Sequence, residues 1–530
     1  MFNQEKGYKL LGKGAQAIVI SVENKDGKKI AIKKPVHPTE KVESASGIIN
    51  MKELHILAHI KHPYIQSAEH IFFKDPFPTR DSELERGHTF DRVFFGMELA
   101  EYSLHELIHD KSFIISNMKR AMFQMACAVQ YLHGQGICHR DIKPGNVLCY
   151  FERGILTCRL ADFGMTKPLN AVAQNSLHAG TSYYRAPEIM MRNRHYSYAM
   201  DVWSLGCTFF EMMARRPMFK ADGEIQLLMS IFSARGSPNQ DTMDYMGSPD
   251  FKISIPRSKG VSLLKLLNLT PNQEETFTTK DDVFNNMHNP GTLEEYCRLL
   301  DGMLQVDPRK RIDMDQVLLH DFFKGHFEKH PYQHNLWKPN KTSINLGHRI
   351  KEIGNVIMLH PKNHPSEKWE IGLQEISLME EPHSFYTTEI SYSIKFLAVD
   401  IFNRVLIRIK PEEHPVYYKK LGWASTYIAS KYYLDSGSAH LWDLFPESPS
   451  YMNSVEIQET EKRIIELLEC EIYRPNLFTF IENPCFYSSL YALAMYPNFI
   501  YNKRLAEVMN IFNNRVTEFK TKNPGINLPL

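Results

Sequence analysis

CHRDIKPGN at residues 138–146, followed by ADFG at 161–164, sets a carboxylate (Asp141), an ammonium (Lys143), an amide (Asn146) and a second carboxylate (Asp162) within one short span of the chain. In chemical terms this is a candidate base, a cation and two oxygen ligands. A hard ion such as Mg²⁺ takes one or two carboxylates together with phosphate oxygens and water.

Length and composition bound what surrounds this span. A chain of 530 residues exceeds one ordinary core and points to about three or four folding units. Forty-three per cent apolar and 23% charged residues is a globular balance. With 62 Lys+Arg against 61 Asp+Glu the formal charge is +1, so charge alone selects no nucleic acid or other polyanion as partner. The eight cysteines have no metal-ligand spacing, and the opening MFNQEKGYKL has no apolar signal core. No uninterrupted apolar span reaches membrane length. The expectation is an intracellular chain, cytoplasmic or nuclear, in a reducing compartment, with no membrane contact and no internal repeat.

Phosphoryl transfer fits the inventory of the opening span, because its loose transition state needs in-line positioning and charge cancellation more than covalent help. The spacing of Asp141, Lys143 and Asn146, with DFG following, resembles that of eukaryotic protein kinases, and the segments DVWSLGCTFFEMMARRPMF at 201–219 and VDPRKRID at 306–313 resemble cyclin-dependent kinases. The resemblance implies an α+β bilobal fold over 1–325, with an N-lobe at 1–98 built on an antiparallel sheet plus a helix and a mainly helical C-lobe at 99–325. It implies ATP and Mg²⁺ as cofactors and a protein substrate with a Ser or Thr acceptor. Asp141 then accepts the hydroxyl proton, Lys143 steadies the phosphoryl group and marks the serine/threonine class, and Asn146 and Asp162 hold the metal.

The small lobe follows the same pattern. YKLLGKGAQAIVISV at 8–22 reads as strand, glycine-containing turn, strand, with Gly12 and Gly14 admitting backbone N–H groups to phosphate. The third glycine of the family pattern is Ala17 here. The next strand, IAIKK, nominates Lys33 for the α/β-phosphates, and by resemblance Val19 and Ala31 flank the nucleotide. GIINMKELHIL at 47–57 spaces Ile48, Met51, Leu54 and Ile56 or Leu57 as a helix; with HPYI at 62–65 setting the register, the resemblance implies that its acid, Glu53, pairs with Lys33. This helix occupies the place that cyclin-dependent kinases dock against a cyclin, with Lys52 where an Arg is usual. Residues 74–92 read as an enlarged polar loop, and VFFGMELAE at 93–101 as a buried strand entering a hinge. The resemblance implies that Met97 is the gatekeeper and that the backbone of Glu98 to Ala100 hydrogen-bonds adenine; ordinary core is an equal reading of Met97, and the two are compatible.

Between Asp162 and TSYYRAPE at 181–188 lies the stretch that carries the family's activating phosphosite, and the register places Ser176 there. A phosphate of about two negative charges on Ser176 is within the competence of Arg140, Lys167 and Lys52, although two lysines lack the guanidinium fork. Arg185 marks the branch whose pocket favours proline after the acceptor, with Gly180 standing where Val is usual. Glu188 and Arg311 are expected to form a buried structural ion pair. Ala15 and Gln16 replace the Thr-Tyr pair through which many relatives are inhibited.

The pattern then changes. Residues 326–380, rich in His, Pro, Asn and Lys, read as a linker, and 381–530 as an all-α domain. Ile390, Ile394, Leu397, Ile401 and Val405 make one apolar stripe with Lys395, Asn403 and Arg404 away from it. YYKKLGWASTYIASKYY at 417–433 is a second helix, a third starts near Asn453 with Glu456 as a cap, and Pro475 with Asn476 opens a fourth. LAVDIFNRVL, LGWASTYIASKYY and ETEKRIIELLECEIYRPN resemble, in that order, one cyclin box. The resemblance implies a cyclin-like domain packing on the 47–57 helix, in cis or by exchange between two chains. A second reading is a catalytically weak kinase fold whose tail recruits or titrates partners, and a third is a helical scaffold unrelated to cyclins.

Overall fold

Alternation along the first strands builds one wall of a cleft. In the computed structural model β1 (Lys9–Lys13), β2 (Ala17–Glu23), β3 (Lys29–Pro38), β4 (His70–Phe72), β5 (His88–Phe90) and β6 (Phe94–Glu98) form an antiparallel sheet in the order β1-β2-β3-β6-β4, with β5 on β3. The structure describes residues 7–14, 17–25, 27–38, 51–76, 88–90, 93–110, 115–168, 182–191, 197–247, 251, 255–268, 292–323, 388–409, 415–433 and 452–473. Ile18, Ile20, Val22, Ile30, Ile32 and Val36 pack together on one face. Because side chains alternate along a strand, Val19, Ala31 and Lys33 fall on the other face. Register carries this across the sheet, with Val19 opposite Lys33 and Ala31 opposite Met97. The stretch read as a loop at 74–92 is not loop throughout, since His88–Phe90 pairs with Val36–Pro38.

Helix α1 (Met51–His59) lies behind the sheet, with every residue from Met51 to Leu57 buried. Below the sheet, β7 (Tyr102–Ser103) leads into α2 (Leu104–His109), whose Ser103 and Glu106 form a capping box. Helix α3 (Ile115–Gly134) precedes β8 (Ile137–Cys138), and a hairpin of β9 (Val147–Glu152) and β10 (Ile155–Leu160) follows. Its turn uses Arg153 and Gly154, both at positive φ of 51° and 79°, as the twist of a two-residue hairpin turn requires. β11 (Lys167–Pro168) returns to pair with β8. The large lobe is completed by α4 (Pro187–Met190), α5 (Ala199–Ala214), α6 (Glu224–Arg235), α7 (Gln240–Met246), α8 (Leu263–Leu267), α9 (Thr292–Met303) and α10 (Met314–Leu319). Arg311 makes two bonds to Glu188, of 2.6 and 2.7 Å, with both side chains buried.

Among the described residues three further helices follow: α11 (Thr388–Arg408), α12 (Pro415–Tyr433) and α13 (Ser454–Leu467). Ile394, Leu397, Ile401 and Val405 are buried, and α13 is capped by Asn453 with Glu456 closing the box. Lys395 and Arg404, expected away from the apolar stripe, are buried as well. Arg404 reaches the backbone oxygens of Glu471 and Ile472 at 2.5 and 2.7 Å and Asp400 at 2.8 Å, so its charge is fully engaged. Lys431 of α12 and Glu461 of α13, both buried, form a 2.6 Å ion pair.

These helices reach α1. His55 meets the ring of Tyr432 edge-on, and the Tyr432 and Tyr473 rings stack at 5.0 Å and 8°. His59 Nε2 lies 3.4 Å from Glu471 Oε1. Among the described residues no helix is long and apolar enough to cross a membrane.

Candidate active site

Helix geometry gives α1 two working faces. Residues two apart point to nearly opposite sides, so Glu53 faces the sheet while His55 faces the C-terminal helices. Lys33 Nζ then sits 2.5 Å from Glu53 and 2.8 Å from Asp162 Oδ1. Its neighbour Lys34 is on the opposite strand face, bonded to Asp75 at 2.8 Å. Burial opposes charge on Lys33, but the Asp162 and Glu53 carboxylates more than offset it and raise its pKa. In return Lys33, more than any other group, holds Asp162 down at about 2.

The β9–β10 hairpin brings the two halves of the opening motif together. Val147 pairs with Leu160, and Ala161 N–H donates to the Asn146 carbonyl at 2.8 Å, so Asp162 emerges beside Asn146. Asn146 Nδ2 donates to the backbone oxygen and Oδ2 of Asp141, both at 2.8 Å, and Lys143 Nζ donates to the same Oδ2 at 2.7 Å. Arg140 and Asp162 are at φ of 70° and 62°, the left-handed region that side chains usually avoid. Such strain persists where surrounding bonds over-determine it.

The chief source of that restraint was not singled out in the sequence. Asp201, fully buried in α5, accepts the backbone N–H groups of His139 and Arg140 at 2.8 Å each and lies 3.0 Å from His133 Nε2. Burial alone would raise its carboxyl, yet the His133 bond and the other partners hold it below the ordinary value. His139 in turn accepts Asp141 N–H through Nδ1 at 3.3 Å, while Nε2 is 3.1 Å from the Ala161 carbonyl. The visible signal was an acid inside the apolar run AMDVWSLGCTFF.

One cleft of about 970 Å³ is lined by Gly12, Gly14, Val19, Ala31, Lys33 and Glu53, by Met97, Glu98 and Ala100, and by Asp141, Lys143, Asn146 and Asp162. Neither Gly12 nor Gly14 has positive φ, and a Cβ added at either would meet nothing closer than 3.8 Å, so what they leave is open space. The donor set fits a nucleotide with a hard cation. Asn146 spends its amide nitrogen on Asp141 and keeps its oxygen, and that oxygen with the Asp162 carboxylate makes an all-oxygen pair suited to Mg²⁺.

The regulatory residues are less gathered. Ser176 and Gly180 lie outside the described residues, as do Ala15, Gln16, Pro475 and Asn476; of Lys167 only the backbone is described, and Lys52 is buried in α1. Arg140 lines the cleft and points Nη1 toward the Met165 carbonyl at 3.5 Å. Arg185 is bonded to Glu224 at 2.5 Å.

The protein kinase domain family matches residues 6–323. The chain is also similar to mitogen-activated protein kinase 12 of Danio rerio, 29% identical over 343 residues, which cover 62% of this chain and 84% of that protein. With that match over more than half its length, and Lys33, Glu53, Asp141, Asn146 and Asp162 around one cleft, the chain belongs to the protein kinase family.

Proposed function

We propose that this chain is an ATP- and Mg²⁺-dependent protein serine/threonine kinase of the cyclin-dependent kind, with its own C-terminal helices as activator. The observation that carries the reading is the double engagement of α1: Glu53 holds Lys33 on one side, and Tyr432, Tyr473 and Glu471 meet the helix on the other. In this reading residues 1–325 are the catalytic part and 381–530 a cyclin-like part joined through 326–380. Tethering gives the activator an effective concentration on the order of millimolar.

Asp141 accepts the proton of the Ser or Thr hydroxyl. Its Oδ2 is held by Lys143 and Asn146, which leaves Oδ1 for the acceptor. Lys143 places positive charge where the phosphoryl group passes, and Lys33, kept charged by its carboxylate partners, orients the α/β-phosphates. Mg²⁺, when bound, neutralises charge on phosphate oxygens, and Asn146 and Asp162 are the residues that would hold it. The adenine end would meet the backbone of Glu98 to Ala100 beside Met97, with Val19 and Ala31, which share one face of the sheet, covering one side of the ring. Arg185 contributes to a preference for proline after the acceptor. Phosphorylation of Ser176 would add charge for Arg140, Lys167 and Lys52 to engage.

Transfer of labelled phosphate to a basic protein substrate, wild type against Asp141→Asn, tests the reading. Removal of a general base costs about 10²–10⁴ in rate. Transfer by neither protein favours the alternative, a kinase-fold binding module whose tail recruits partners.

A further inference from the structure

Helix α2 carries His105 and His109 one turn apart on one face, and across from them α5 carries Glu211. On a helix, residues four apart share a face, so both imidazoles are directed to one place. The ligand atoms of the three residues lie within 4.8 Å of one another, and His105 Nδ1 is 3.9 Å from Glu211 Oε1. The two histidine rings are 4.7 Å apart between centroids at 74°, edge to face.

Glu211 supplies the second observation. Its side chain is fully buried, and a buried carboxylate is costly unless each oxygen finds a donor or a cation. Oε2 takes a 2.6 Å bond from the Tyr184 hydroxyl. Oε1 is buried with no hydrogen-bond donor and faces the histidines. The two helices are also held in register: Arg215, just past the end of α5, donates to the Asp110 carbonyl at 3.0 Å, and Asp110 caps α2. The pair of elements is thus fixed, and only the two exposed imidazoles remain to be aimed.

We propose that His105, His109 and Glu211 form a binding site for Zn²⁺. Two imidazoles and one carboxylate suit zinc and disfavour Mg²⁺ or Ca²⁺, which prefer oxygen throughout. At Zn–ligand distances of about 2.0–2.1 Å, tetrahedral ligand atoms stand about 3.3 Å apart. Bringing these atoms, already within 4.8 Å of one another, to that spacing needs only small torsional adjustments of exposed histidines. Water completes the fourth position. His105 lines the rim of the cleft, and Tyr184, bonded to the same carboxylate, lines it too, so the metal ties α2 to α5 at the edge of the protein-substrate path. The site is separate from the nucleotide residues, and its test does not depend on phosphotransfer.

The experiment is titration of the full chain, first stripped with a chelator, with Co²⁺ followed in the visible region and then displaced by Zn²⁺. The expected result is one four-coordinate Co²⁺ spectrum per chain, displaced by one equivalent of Zn²⁺. Losing a direct ligand should cost at least as much as losing an outer-shell partner, so His105→Ala and His109→Ala should each weaken zinc about 100-fold. Both residues are exposed, which keeps these variants folded; Glu211→Gln should weaken zinc in the same way. No such spectrum in the wild type, or titrations unchanged in both histidine variants, overturns the site, and so does an effect confined to Glu211→Gln.

Discussion

His55 meets Tyr432 edge-on, with ring centroids 6.1 Å apart at 79°, so the helix that presents Glu53 to Lys33 is contacted from behind by the far end of the chain. If that contact sets the position of Glu53, loosening it should cost phosphotransfer without touching any cleft residue. His59 offers a mild way to do so, being half exposed and 3.4 Å from Glu471. His59→Glu sets two negative charges face to face, a repulsion of about 1 kcal/mol at a partly screened site, or about fivefold in the docked population. Phosphotransfer should fall accordingly, and Glu471→Gln in the same chain should restore most of it. Equal rates in all three proteins would show that docking does not control activity.

Acid should loosen the same contact. Burial, with His59 and Arg404 nearby, lowers His55 from 6.5 to about 3 despite the opposing Glu471 carboxylate. The unfolded or undocked form takes up a proton below pH 6.5 that the docked form refuses. The contribution of neutral His55 is therefore complete above about pH 6.5 and is lost as pH falls toward 3, by about 1.4 kcal/mol per pH unit. His62, lowered to about 4 by burial, adds to the same slope for the fold as a whole. Unfolding midpoints between pH 7 and pH 5 should drop less steeply in His55→Gln than in wild type. Parallel pH profiles would count against a neutral, buried His55.

Asp201 should matter to the rate more than to nucleotide binding. It does not itself line the cleft, yet it fixes the backbone of His139 and Arg140 just before Asp141. Asp201→Asn replaces a double acceptor with a group that must turn one donor toward a donor. The resulting shift of Asp141 should lower kcat about 10- to 100-fold, the scale of a misplacement near 1 Å, with a smaller change in KM for ATP. A change confined to KM for ATP would refute the positioning role.

Much of this site was legible in residue order because its parts are local. The alternation that separates Lys33 from Lys34, the hydrogen-bonding types around Asp141 and the cap at Asn453 each depend on a few neighbours. What escaped depends on chain closure. Asp201 finds its donors some sixty positions away, and an isolated acid in an apolar helix does not announce them. Arg404 looked like a solvated charge because its acceptors, the carbonyls of Glu471 and Ile472, come from after α13. The strand His88–Phe90 has three residues within polar sequence, too short for any periodicity to show.

Arg311 tests geometry against charge. Its guanidinium donates to both Glu188 oxygens and to the carbonyls of Gln305, Ala199 and Val306. Lysine keeps the charge but has no planar fork, so it leaves buried acceptors unserved. Arg311→Lys should destabilise the large lobe by about 3–5 kcal/mol, the scale of a broken buried pair, read from denaturant unfolding. A loss under about 1 kcal/mol would mean that charge alone suffices.

Lys431 and Glu461 pose the same question in the C-terminal helices, where the answer separates structure from activity. Their 2.6 Å pair is almost completely buried, and the Lys431 ammonium also lies 4.1 Å from the Tyr427 ring centroid. Removing one partner strands the other charge, so Lys431→Met should cost about 3–5 kcal/mol. Removing both charges with residues of similar volume, Lys431→Met with Glu461→Leu, should recover most of that loss, because desolvation of two ions is avoided as well. Phosphotransfer should follow stability in the single variant, since α12 carries Tyr432 against His55. In the double variant stability returns, and the rate should return with it if the helices act by docking. A stable double variant with a persistently low rate would assign the ion pair a direct part in positioning α1.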